Sequence, residues 1–166
     1  MMEHNKALFS YKFSEYITPK KLYQEYNKRY HFTLDPCTSD DNPLGTPKFY
    51  TQKEDGLKQT WEGERVYCNP PYHSRNIIKW IEKAKFGGAD IVVMLLPART
   101  DTRWFHDYLY NPLYQYLCND QTIEIKFIKG RLKFNHPNYE VNDKLGGNTA
   151  PFPSMLAIFK NVHSNS

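Results

Sequence analysis

The sequence predicts a single α/β domain built on a mostly parallel sheet flanked by helices, and three observations carry that prediction. Segments of helical period alternate with short apolar segments along the chain, the pattern of strands joined by crossover helices. Residues 89–96 (ADIVVMLL) form a continuous apolar run between Gly87-Gly88 and Pro97, as a central strand covered on both faces requires. A length of 166 residues gives room for one sizeable core, with little left for an independent recognition domain.

Each element follows in order. Residues 1–14 read as a lead-in and 163–166 as a tail, leaving 15–162 for the domain. Thr18-Pro19 opens a helix to about Tyr30: threonine is a good N-cap, proline suits the first helical position, and Leu22, Tyr26 and Tyr30 recur on one face. A short strand from His31 to Asp35 ends at Pro36. Residues 36–60 are rich in Pro, Asp, Gly and Thr and read as a long ordered loop with a short strand at 48–51; loops of that length are commonly functional. Arg65 to Cys68 is a strand stopped by Asn69-Pro70-Pro71-Tyr72. A helix from Ser74 to Lys85 buries Ile77, Ile78, Trp80, Ile81 and Ala84, and Gly87-Gly88 ends it.

After the central strand, Asp101 to Tyr110 reads as a helix packing Trp104, Phe105, Tyr108 and Leu109 inward. At Trp104 the core role outweighs that of a base platform. Ile123 to Phe134 alternates, but its apolar set changes from odd to even positions. A bulge at or beside Gly130 would return Leu132 and Phe134 to the core and turn Lys129, Arg131 and Lys133 outward. Residues 135–150 form a polar loop, and Ser154 to Phe159 is the last strand.

Composition excludes several classes. No apolar run approaches the roughly 18 residues of a membrane span. The N-terminal stretch lacks an apolar block and cleavage site, and three irregularly spaced cysteines imply no disulfide framework, so a reducing cytoplasm is expected. The excess of 22 Lys+Arg over 18 Asp+Glu, +4, permits a polyanionic partner without requiring one. Aromatic residues make up 16%, which suits stacking on bases as well as filling a core. The His and Cys spacings match no paired-ligand pattern, and no metal is expected.

Ligands of open parallel sheets bind at the carboxyl ends of strands, where Asn69-Pro70-Pro71-Tyr72 falls. The prolines stiffen the turn and remove two N–H donors, leaving carbonyl oxygens for the crevice. Asn69 adds a side-chain acceptor and Tyr72 a flat ring, together a site for a planar group bearing an NH2. An exocyclic amine is a poor nucleophile because its lone pair is delocalised. With its hydrogens held by Asn69 Oδ1 and the Pro70 carbonyl, the nitrogen pyramidalises and meets a sulfonium methyl in line. Polar groups aimed at developing charge are worth about 10²–10³ in rate each. A plain strand-terminating turn is the competing reading of the tetrapeptide.

Ordered motifs extend the pattern: residues 16–19 (YITP), 32–37 (FTLDPC), 55–57 (DGL), 66–72 (VYCNPPY), 94–104 (MLLPARTDTRW), 130–134 (GRLKF) and 150–154 (APFPS). In this set the chain resembles the small phage-type DNA N6-adenine methyltransferases over about residues 16–160. The resemblance implies a Rossmann-like class I methyltransferase fold, S-adenosylmethionine as donor and adenine N6 in DNA as acceptor. It assigns Asn69, Pro70, Pro71 and Tyr72 to the target base, and it places Tyr16, Thr18, Pro19, Asp35, Pro36, Cys37, Asp55, Leu57 and Asn69 around the donor. The chain departs from the broader pattern because no glycine-rich turn follows Asp35-Pro36, so side chains of the 37–57 loop, with Phe49, Tyr50 or Leu57 beside the donor's adenine, are expected to do that holding.

A duplex base cannot reach such a crevice, so base flipping is expected, with Tyr72 replacing lost stacking. Arg99, Arg103, Lys129, Arg131 and Lys133 are the candidate phosphate contacts, a solvated face being their alternative. The loop 136–150 has the size and polarity to lie along DNA or to act as a lid. The partner is adenine-containing DNA, with no membrane, and the protein acts as a monomer or a homodimer. Two rivals stay open: methylation of another planar amine (an RNA base or a protein glutamine), and a catalytically silent DNA-binding module.

Overall fold

The computed structural model describes residues 16–72, 74–110, 121–134 and 149–161. The expected lead-in, the tail and most of the loop 136–150 lie outside these residues. Helix α1 spans Lys20–Tyr30, and the strands are β1 (Leu34–Asp35), β2 (Lys48–Phe49), β3 (Arg65–Cys68), β4 (Ile91–Pro97), β5 (Gln121–Phe127) and β6 (Ser154–Asn161); helix α2 spans Ser74–Phe86. They form one sheet in the order β2-β1-β3-β4-β6-β5. Strands β2, β1, β3 and β4 are parallel neighbours. Strand β6 runs antiparallel to both β4 and β5, so β5 points the same way as β4. The sheet is therefore mostly parallel and Rossmann-like, with crossovers between its parallel strands.

The apolar run becomes β4, buried at every position. Its even residues Val92, Met94 and Leu96 pack with Ile77, Trp80, Ile81 and Ala84 of α2 and with Trp61, Trp104 and Phe105. Its odd residues Ile91, Val93 and Leu95 pack on the opposite face with Tyr23 of α1, Phe32 and Tyr67. A strand with a helical layer on each side has no polar face to offer, which is why the run lacks alternation.

Four expectations need correction. Thr18 is not the N-cap of α1: Pro19 occupies that position, with no side-chain cap, and so lies before the first helical residue. The Thr18 hydroxyl is taken by partners on the sheet instead. The strand expected from His31 starts at Leu34, because His31 closes α1 in the left-handed region (φ 51°) and the Asn27 side chain accepts the Phe32 N–H at 2.8 Å. Between Asp101 and Tyr110 the helical stretch is chiefly one π turn, Phe105–Leu109, closed by Tyr110 N–H on the Phe105 carbonyl at 2.9 Å; Trp104, Phe105 and Leu109 are buried as expected.

The fourth correction concerns β5, which ends at Phe127 rather than Phe134. Gly130 (φ 78°) belongs to a turn, not to a bulge in a continuous strand. Phe127 is 63% exposed, while Ile123 and Ile125 pack on the α2 side. Leu132 and Phe134 pack on the opposite, α1 side. The phase change thus marks a chain that crosses from one layer to the other.

Candidate active site

Parallel strands β1, β3, β4 and β5 all end at one edge of the sheet. Pairing Leu34 with Val66 and Cys68 with Met94 fixes the levels of the first three, and Met155 faces both Leu96 and Phe127 across β6. Asn69-Pro70-Pro71-Tyr72 leaves the sheet at that edge. The Asn69 amide nitrogen donates to the Tyr16 carbonyl at 2.6 Å and to Thr18 Oγ1 at 3.2 Å. Its Oδ1 accepts a hydrogen bond from the Tyr72 hydroxyl at 2.6 Å. The amine acceptor read from the sequence is therefore engaged within the motif itself, by the Tyr72 hydroxyl, and not by the sheet ladder.

The Tyr72 ring meets Phe152 edge-on, with centroids 5.5 Å apart, and tilts toward Tyr16 at 5.9 Å. Tyr16 touches Phe134 at 5.1 Å and Phe152 at 5.5 Å. Burial pushes the Tyr72 phenol well up, so it remains a proton donor. Sequence reasoning missed Phe152 and left Phe134 in the core. The available signal was the sense of β6: a strand running against its neighbours begins where they end, which carries Pro151-Phe152-Pro153 to the same edge.

Asp35 is 3% exposed at the end of β1. Burial pushes its carboxyl up to about 7, against the lowering effect of the Cys37 backbone N–H and the Thr38 side chain. The Cys37 N–H bond to Asp35 Oδ1 measures 3.2 Å. The Cys37 thiol is raised by burial and then by the charges of Asp35 and Asp55. Asp55 lies in the left-handed region (φ 55°), accepts the Leu57 N–H at 3.3 Å and pairs with Lys58 at 3.3 Å. Next to it, a Cβ on Gly56 would stand 1.9 Å from the Pro36 carbonyl oxygen, so glycine is required for the two segments to touch. Cys37, Tyr50, Leu57 and Tyr72 are half-buried against the α2-side core. The structure thus brings Asp35, Pro36, Cys37, Asp55 and Leu57 together at the end of β1, the strand beside β3. Phe49 is exposed, at 36%.

Pro19 follows Thr18 into α1. Arg99 and Arg103 are exposed on the segment leaving β4, where the Thr102 hydroxyl donates to the Arg99 carbonyl at 2.7 Å. Lys129, Arg131 and Lys133 are exposed after β5, and the Arg131 guanidinium donates to the Ala150 carbonyl at 3.3 Å. All five basic residues lie on segments that leave the edge carrying Asn69. Among the described residues, no group of three or more His, Cys, Asp and Glu side chains is placed to hold a metal ion, and no helix is long and apolar enough to cross a membrane.

The mostly parallel α/β sheet thus carries Asn-Pro-Pro-Tyr at its carboxyl edge, with a buried acidic turn at the end of the neighbouring strand. The chain belongs to the DNA N-6-adenine-methyltransferase (Dam) family, whose profile matches residues 12–166. It is similar to a DNA N-6-adenine-methyltransferase of Escherichia phage T1, with 34% identity over 98 residues, or 57% of this chain and 40% of that protein. The chain therefore matches less than half of that relative's length. Among solved structures it is similar to a protein of Pyrococcus horikoshii described as an RNA methyltransferase (TM-score 0.44, 15% identity, 72% of this chain and 52% of that one). A second is the 23S rRNA methyltransferase ErmE (TM-score 0.42, 12% identity, 87% of this chain and 50% of that one). Both likenesses are too distant to bear on substrate.

Proposed function

We propose that this protein methylates the exocyclic N6 of adenine in DNA with S-adenosylmethionine as donor. The observation that carries the reading is the Asn69 amide at the carboxyl end of β3, held by two partners through its nitrogen with its oxygen on the Tyr72 hydroxyl. Family membership supports an adenine in DNA as the target amine and S-adenosylmethionine as the donor. The buried acidic turn fits such a donor. Asp35 is a carboxyl whose ionisation burial opposes, and a cationic ligand beside it would favour the charged form. Cys37, Tyr50, Asp55 and Leu57 would complete the walls, in a chain with no glycine-rich turn after β1. When bound, the donor supplies an electrophilic methyl carbon on a positively charged sulfur.

The chain's own residues do the remainder. Asn69 Oδ1 and the Pro70 carbonyl accept the two amine hydrogens and direct the nitrogen lone pair away from the ring. The incoming N–H replaces the Tyr72 hydroxyl at Asn69 Oδ1, and the freed ring stacks on the extruded base, with Phe152 and Tyr16 as neighbouring walls. No strong base is needed, because the proton leaves only after the nitrogen has become cationic. Arg99, Arg103, Lys129, Arg131 and Lys133 meet phosphates, which position the duplex without reading its sequence.

Incubating the protein with labelled donor and, separately, adenine-containing DNA, RNA and total protein tests the proposal. Label is expected in DNA, on adenine N6. Label confined to RNA or protein overturns the DNA assignment in favour of another planar amine. No heat on calorimetric titration with S-adenosylmethionine, together with no turnover, would favour the silent DNA-binding module.

A further inference from the structure

We propose that Thr18 is a positioning residue for Asn69, one half of a clamp that fixes the amide in place while the Tyr16 carbonyl sets its sense. The inference rests on the amine-holding role proposed for Asn69 and adds the device that sets it.

An asparagine side chain is nearly symmetric in shape but not in chemistry, with a donor nitrogen and an acceptor oxygen that exchange places on a half-turn. Only its partners choose between the two orientations. Here the Tyr16 carbonyl, which can only accept, stands 2.6 Å from Nδ2. Thr18 Oγ1 stands 3.2 Å from the same nitrogen, so both amide hydrogens are used. Thr18 is 2% exposed, which leaves no room for bulk water to substitute. Its oxygen also accepts from the Tyr67 hydroxyl at 3.3 Å. Tyr67 is fully buried, so its phenol stays protonated and donates to Thr18, holding that hydroxyl in place. A half-turn of Asn69 would set its oxygen against the Tyr16 carbonyl, which cannot donate, while Thr18 anchors the second amide hydrogen. The clamp therefore turns Oδ1 to the position where Tyr72 now sits and where the amine is to bind.

This role differs from donor binding, the role the family resemblance assigns to Thr18, and from helix capping, which Thr18 does not perform. Residues 16–18 precede α1, and Tyr67 and Asn69 flank the end of β3, so the clamp ties the chain's entry to the catalytic turn.

Thr18→Val removes the hydroxyl at nearly constant shape. Methylation is expected to fall about tenfold, the weight of one net hydrogen bond, with donor Kd unchanged by calorimetric titration. Thr18→Ser is expected to restore most of the rate. In an Asn69→Ala background, Thr18→Val should cost nothing further, because the group it positions is gone. A parallel loss of donor affinity, or a full additional penalty in the Asn69→Ala background, would overturn the proposal. A readout independent of turnover separates it from the function itself. On isotopically labelled protein, the Asn69 side-chain amide protons should exchange slowly in the wild type and quickly in Thr18→Val. Fast exchange in the wild type overturns the clamp. Slow exchange in a protein that methylates no DNA upholds the clamp and removes the proposed function.

Discussion

The two ends of the sheet are built differently. At the β4–β6–β5 end, strands of seven and eight residues pair along their lengths, and β4 and the inner part of β6 are apolar and closed to solvent. At the β1–β2 end each strand is two residues long, and side chains do what ladders do elsewhere. The Thr33 hydroxyl donates to Glu64 at 2.6 Å and accepts the Arg65 N–H at 2.9 Å, while Lys48 pairs with Glu64 at 2.9 Å. The Trp61 indole donates to the Gly56 carbonyl at 2.9 Å. One end rests on long ladders and buried apolar area, while the other supplements short ladders and a few core side chains with local polar bonds. The candidate chemistry lies where they meet, at β3.

Substitutions separate the two regimes. Leu95→Ala, in the apolar end, is expected to lower unfolding free energy by about 2–5 kcal/mol, whereas Thr33→Val should cost about 1 kcal/mol; urea denaturation reads both, and equal losses would erase the distinction. At the junction, Asn69→Ala is expected to reduce methylation by about 10² or more with donor affinity nearly intact. A near-normal rate would show that Asn69 does not hold the amine.

A pH series probes the polar end. Asp35 has its folded pKa raised to about 7 from the ordinary 3.8, so its contribution to stability is fully present below that ordinary value. The contribution is lost as pH rises toward about 7, since the folded state resists ionisation. A cationic donor reverses the preference: its affinity should weaken by up to about tenfold for each pH unit below the folded value and level off above it. Asp35→Asn should flatten both profiles. Flat donor binding in the wild type would remove Asp35 as a counter-charge. The smallest effect is expected at the rim, where Lys129→Gln or Lys133→Gln should each lower the salt dependence of DNA binding by about one counterion. No change in slope would leave that residue on a solvated face.

The apolar end was the more legible in sequence. The run 89–96, the helix after Ser74 and the last strand each show in a local pattern, because burial on a given face leaves a period. The tetrapeptide and the Asp35 turn were legible too, as proline-marked strand ends. Partnerships between distant segments were not. Thr18 resembles a cap because threonine before proline usually caps, and nothing nearby reveals that Asn69 and Tyr67 claim its hydroxyl. The phase change after Phe127 looked like a bulge because periodicity reports a face but not which layer covers it. The engagement of Asn69 by Tyr72 depends on rotamers, which leave no trace in composition.

The contact of Gly56 with Pro36 bears on how the loop after β1 is held without a glycine-rich turn. Main chain touches main chain there, so the seam is closed at a fixed distance however the intervening residues vary. The loop between is pinned at its base like a handle on a lid, and its side chains are free to specialise for whatever lies beneath them.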